Sequence, residues 1–194
     1  MTNPEPSQRP KLFMLLLGSK APQRNVEQHD YFFGIGYALK DLVREIKAFW
    51  PEAGNSIHVD GWREVNKVGE YSILVKEKTE NSKASLKKLF FINLGGYQSN
   101  VLAEQHYIVL SVHDDRAQAV QEAKKSVFFK TNSIKGANAH VDEKYGIDVD
   151  DIYKIEDVLS AEMKARYEIE IDYHQETELP EDEIHLGYFK LDKL

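Results

Sequence analysis

The sequence has no cysteine, which excludes disulfides, thiolate metal sites and a cysteine nucleophile. It is short of positive charge. Lys and Arg total 25 against 32 Asp and Glu, a net charge of −7, so the protein as a whole is a poor candidate for nonspecific nucleic-acid binding. No apolar stretch reaches the roughly 18 residues of a membrane-spanning helix, so no membrane partner is expected. Proline is scarce too, and three of the six (Pro4, Pro6 and Pro10) crowd the polar first ten residues. That composition predicts a disordered leader over 1–10 and not a signal peptide. The lack of cysteine fits a cytoplasmic location.

What the chain does have is repetition. Lys11-Leu12-Phe13, Leu17-Gly18 and Glu27-Gln28-His29 return as Lys88-Leu89-Phe90, Leu94-Gly95 and Glu104-Gln105-His106, at a constant shift of 77. Eight of the 19 aligned pairs are identical. Unrelated segments of that length would share about one, so the pattern reads as an internal duplication. A further word, His58-Val59-Asp60, recurs as His140-Val141-Asp142 at a shift of 82, which places five extra residues in the second copy, in the loop 130–139. The 42% hydrophobic content suits a globular core. Units of under about 90 residues are marginal alone, so the copies are expected to pack together or share a sheet.

Each copy opens on a short apolar run, Lys11 to Leu17 and Lys88 to Leu94, stopped by glycine and read as a buried strand. A second strand starts near His29 and near His106. A helix follows, with Leu39, Leu42, Val43, Ile46, Phe49 and Trp50 at one-face spacing and Pro51 as its stop. Its partner starts at Asp114 or Asp115, an aspartate cap. Final strands are expected over Gly69–Val75 and Arg166–His174, the latter alternating Tyr167, Ile169, Ile171 and Tyr173 with Glu168, Glu170 and Asp172. A shorter helix is expected around 155–165.

The fold class is α+β: two duplicated strand-strand-helix-strand-strand units with pseudo-twofold symmetry and mostly antiparallel sheets. The expected division is a leader at 1–10, a first unit at 11–75, a linker at 76–87 and a second unit at 88–174. An acidic loop and C-terminal strand at 175–194 would pad a sheet edge.

The residues that could carry chemistry are the repeated polar set: His29, His58 and Asp60, and their counterparts His106, His140 and Asp142. Imidazole and carboxylate together suit zinc, manganese or iron. Imidazole also suits proton transfer. On a strand, His58 and Asp60 project from one face because the side-chain period is two, so a divalent metal at His29, His58 and Asp60 is a specific possibility. The competing reading is that these groups bond loop backbone at strand ends.

Glu27 and Glu104 precede the repeated histidines and could orient a neighbouring group, but adjacent strand residues point apart, so direct pairing with the very next histidine is not expected unless a loop bends there. Gly34-Ile35-Gly36 has the position of a phosphate-cradling turn without its third glycine, and room for close helix packing is the simpler role. The loop Lys130 to Asn138 has anion-friendly groups but fails the P-loop spacing. Glu168, Glu170 and Asp172 read as a solvated strand face. Two histidine words some 80 residues apart resemble the plan of bilobal two-histidine phosphoesterases. The third position of each word departs from that plan, since Asp60 and Asp142 stand where a hydroxyl is required, and they would repel phosphate.

The string His29-Asp30, Phe32-Phe33-Gly34, Trp50, His58-Val59-Asp60-Gly61-Trp62 and Val68-Gly69-Glu70-Tyr71 resembles the bacterial domain-of-unknown-function family 1543. The second half is similar to that family's weaker repeat, over about 11–175 in all. The resemblance implies a bacterial, cytoplasmic origin and a two-unit layout, and assigns no chemistry to any residue. Two functions of different class follow. One is a binding or protein-interaction module, a homodimer among its forms, whose partner is a protein or small molecule. The other is a metal-dependent or acid–base hydrolase that uses the duplicated histidine sets.

Overall fold

Short apolar runs bounded by glycine and polar turns fold here as strands, and among the described residues the helices other than the 16-residue one at Arg116–Thr131 are short. The computed structural model describes residues 9–80, 82, 85–97, 102–131, 147–174 and 180–194. In chain order the elements begin with β1 (Lys11–Ser19), β2 (Gln28–Gly36), α1 (Val43–Phe49), β3 (His58–Glu64), β4 (Lys67–Val68) and β5 (Tyr71–Glu77). Then come β6 (Lys88–Tyr97), β7 (Glu104–His113), α2 (Arg116–Thr131), β8 (Ile147–Lys154), α3 (Ile155–Val158), α4 (Ala161–Arg166), β9 (Tyr167–Tyr173) and β10 (His185–Lys190). The result is a mixed α+β protein with antiparallel pairing at every registered ladder.

The chain divides into two compact units, Met1–Ala84 with Leu159–Leu194, and Ser85–Val158. In the first, a four-stranded sheet runs β10-β3-β1-β2 and a three-stranded sheet runs β4-β5-β9. β1 is central, and its Leu12, Phe13, Leu15 and Leu17 are almost fully buried. A 3₁₀ turn at Leu39–Leu42 leads into α1, and the pair buries Leu42 and Ile46. Gly34 is what lets this turn approach: a Cβ there would lie 2.8 Å from the Phe32 ring and 2.9 Å from Leu42. The amides of Tyr37 and Ala38 donate to the Asp41 carboxylate at 3.0 and 2.9 Å, so the side chain of the turn itself takes the donors that a phosphate would need.

The second unit is one sheet, β7-β6-β8. Phe90, Ile92 and Leu94 of β6 and Ile152 of β8 bury against Ala119 and Ala123 of α2. Small residues on that helix face let it sit close to the strands. Asp115 caps it, accepting from the Gln118 amide at 2.9 Å.

Two expectations are corrected. The division 88–174 does not hold, because β9 pairs with β5 along its whole length, Tyr71 opposite Tyr173 through Glu77 opposite Tyr167, and so belongs to the first unit. Among the described residues the second unit therefore reads strand, strand, helix, strand, without a fourth strand. The alternation of Tyr167 and Ile169 with Glu168 and Glu170 is real, with the first pair buried and the second half-exposed. Alternation fixes which face is buried but not which edge the strand joins. Glu170 pairs with Lys76 at 2.5 Å across that ladder, which makes the acidic face a solvated, ion-paired one. The C-terminal strand does pad an edge, that of β3.

Candidate metal centre

The site is built on one cross-strand row. Gly18, near the end of β1, stands opposite His29 of β2 on one side and opposite His58 of β3 on the other. The β1–β3 register slips between Leu16, which faces Gly61, and Leu17, which faces Val59. Asp60 is the extra residue of this bulge, and bulges re-aim side chains. Gly18 leaves open the space that the row needs: a Cβ there would meet the Asp60 carboxylate, His58 Nε2 at 2.5 Å and Glu27 Oε1 at 2.8 Å.

Four side chains converge over that glycine. His58 Nε2 lies 2.8 Å from Glu27 Oε1 and 3.1 Å from Asp60 Oδ1. His29 Nε2 lies 3.1 Å from Asp60 Oδ2 and 3.7 Å from Glu27 Oε1. One ligand atom from each of Glu27, His58 and Asp60 fits within a 4.8 Å set. His29 stands at the rim, half-exposed with Glu27, whereas the His58 side chain is only 5% exposed.

The hydrogen bonding of His58 fixes its orientation. Nδ1 lies 2.9 Å from the Ser56 carbonyl oxygen, which can only accept, so Nδ1 carries the proton. Ser56 is itself held, its hydroxyl bonding the Ala53 carbonyl at 2.7 Å and the buried Ser19 hydroxyl at 2.6 Å. Nε2 is thus turned toward two carboxylates. Nε2 and Asp60 Oδ2 are both buried without a hydrogen-bond partner among the described residues. A neutral imidazole there would aim a lone pair at carboxylate oxygens, an arrangement that a cation between them relieves. Backbone anchoring of one ring nitrogen with the other pointed at carboxylates is the usual arrangement of a metal-ligating histidine. The Tyr188 ring covers His58 with its centroid 4.3 Å away. Tyr31, opposite Leu16 in the next row, has its hydroxyl pKa raised by burial.

The structure therefore brings together His29, His58 and Asp60 and adds Glu27. Glu27 precedes His29 by two positions, the spacing that shares a strand face, and that spacing is the signal that could have found it. His106 stands elsewhere, in the second unit. Its Nδ1 is 3.2 Å from Asn93 Oδ1, and Glu104 is 3.7 Å from its Nε2. Asn93 donates to Asp151 at 3.4 Å, and the Tyr153 hydroxyl donates to Asp151 at 3.1 Å. His140 and Asp142 lie outside the described residues, as does most of the loop 130–139. The backbone ladder nevertheless revises their pairing. Gly95 faces His106 and Asp148, as Gly18 faces His29 and His58, and Leu94 faces Val149 as Leu17 faces Val59. The backbone counterpart of His58 is thus Asp148, at a shift of 90, and not His140 at 82.

Residues 24–75 match the family model described as Domain of Unknown Function (DUF1543), a segment that includes all four converging side chains. A solved structure described as protein Il1583 from Idiomarina loihiensis is similar in fold, with a TM-score of 0.59 and 21% identity. That match covers 94% of this chain and 98% of the other. No curated protein matches the chain.

Proposed function

We propose that the first unit binds a divalent transition-metal ion through Glu27, His58 and Asp60, with His29 at the open side. The observation that carries this reading is the buried, unsatisfied His58 Nε2, aimed at two carboxylates while its other nitrogen is tied to a carbonyl. Two carboxylates and imidazole favour zinc, manganese or iron over calcium or magnesium. Three protein ligands and a solvent-facing rim are the composition of centres that keep a position for water, where the ion makes the bound water acidic enough to attack at neutral pH. His29, 3.1 Å from Asp60, would be the nearby base for such a water, which supports the hydrolase reading over a purely structural ion. Matching registers at Gly18 and Gly95, each beside a slip in its ladder, support a duplication in which one copy kept the ion site.

Metal analysis of the purified chain tests the reading. One equivalent of zinc, manganese or iron is expected, and a Tm that rises with added ion. Saturation at 100 times Kd stabilises by about 2.7 kcal/mol. D60N and E27Q, which keep side-chain volume, should abolish the rise. A wild-type chain that holds no metal and melts identically with and without added zinc or manganese would sink the proposal.

A further inference from the structure

β10 lays three unlike side chains along the sheet face that carries the cluster. Lys190 is opposite His58 in register, and so joins the row of Gly18 and His29. Leu186 is opposite Gly61, and so joins the next row, with Leu16 and Tyr31. The β10–β3 register slips between Leu186 and Phe189, and Tyr188, in that slip, packs its ring at a tilt against His58. Gly61 brings Leu186 down on the backbone, since a Cβ there would lie 2.9 Å from Leu186 Cδ2.

Leu186 and Tyr188 are 77% and 64% exposed. A single exposed apolar side chain needs no explanation, but two beside a buried polar cluster mark a surface shaped for contact. Tyr188 is also one wall of a cavity of about 320 Å3, bounded further by Lys47, Asn55, Lys190 and Asp192. Its two lysines have no ion-pair partner among the described residues, and one aspartate leaves the wall net positive.

We propose that this corner takes up an organic anion with an aromatic or branched apolar body. The body lies on Tyr188 and Leu186, and the charge is shared between Lys190 and the bound ion. The metal reading is the premise of this assignment, and it adds the ligand class that the centre serves. Tyr188 is the link, because one ring touches both the cavity and the metal ligand His58.

Calorimetry on the full chain loaded with zinc tests it, with phenylphosphonate and methylphosphonate as probes. The two carry the same charged head, so their difference isolates the body. Phenylphosphonate should bind about tenfold tighter. Tyr188→Ala should bring it down to the methylphosphonate level, and Lys190→Met should weaken both probes about equally. Both residues are exposed, so the variants keep the fold, and an unchanged melting curve verifies this. Equal affinity for the two probes, or a Tyr188→Ala variant that still prefers phenylphosphonate, overturns the assignment while leaving the ion site intact. A concentration-dependent dimer that Tyr188→Ala dissolves, with no preference between probes, also overturns it, in favour of self-association along β10. Failure of the ion site itself shows separately, in the zinc titration that precedes the probes.

Discussion

The Gly18 row and the Gly95 row share a backbone and differ in what the side chains leave unpaid. Both have a glycine flanked by a histidine on one neighbouring strand, and both adjoin a slip in the other ladder. In the first unit the position before Leu17 is Leu16, which offers no polar atom, and His58 and Asp60 keep buried atoms without hydrogen bonds. In the second the same position is Asn93, whose amide bonds both His106 and Asp151. The described side chains of one row bond one another, whereas the other keeps buried polar atoms that the proposed ion would satisfy. Which strand pairs with which therefore says little about function here, and a single leucine-to-asparagine difference says more.

The largest effects should come from the ligands. Asp60→Asn or His58→Ala should cost more than the roughly 10–100-fold in metal affinity that losing an outer partner costs. Asn93→Ala or His106→Ala should leave metal stoichiometry unchanged by elemental analysis. Loss of the ion on changing His106 would break the comparison. Next comes Gly18→Ala. Its methyl would enter the space shared by Asp60, His58 and Glu27. Glu27 and Asp60 can swing away but the buried His58 ring has little room, so the ion should be lost while the sheet pays less than about 3 kcal/mol. Calorimetric metal titration and chemical denaturation of the same variant separate the two costs.

Asn93→Leu recreates the Leu16 situation in the second unit. It removes the bonds to His106 and Asp151, at a cost of about 1 kcal/mol each in a half-buried setting. Denaturation read on the second unit should show that loss without any gain of bound metal, because an unsatisfied row still lacks the anchored, buried imidazole of His58. Metal uptake by this variant would mean that the asparagine alone keeps the second row empty of ions.

Much of this was legible in the residues. Lys11 to Leu17 and Lys88 to Leu94 are strands because they are short, apolar and ended by glycine, and the shift of 77 survives in the register as Gly18 opposite His29 and Gly95 opposite His106. The meeting of His29, His58 and Asp60 comes instead from the register at Gly18 and the bulge at Asp60, and not from the letters repeated at 140–142. Three things were not legible. The destination of Tyr167–Tyr173 depends on which edge is free, and alternation carries no record of that. The word His-Val-Asp at 140 matches in letters, whereas register is set by the ladder and its slip, which leave no mark on composition. The part played by Glu27 is hidden because its partners, His29 and His58, sit two positions on and across the sheet, and only the register joins them.

The smallest effect concerns the second sheet, which among the described residues only the first unit has. Glu77, at the end of β5, accepts from Arg166 at 2.9 Å and from the Tyr37 hydroxyl at 3.2 Å, so it joins the strand pair β5-β9 to the turn after β2. The Arg166 guanidinium, with help from Tyr37, holds the Glu77 carboxyl below its ordinary 4.5. A depressed carboxyl stabilises the folded chain above its unfolded value, and that contribution fades as the pH falls below 4.5 toward the lowered one. Because the Glu77 side chain is half-exposed, the gain is small and salt-sensitive. Glu77→Gln should therefore lower the Tm slightly at neutral pH and low salt, with wild type and variant converging in acid. A difference that widens as the pH falls would show that Glu77 holds β9 in place by packing and not by charge. The contrast between the two units would then rest on the apolar side chains Tyr167 and Ile169 alone.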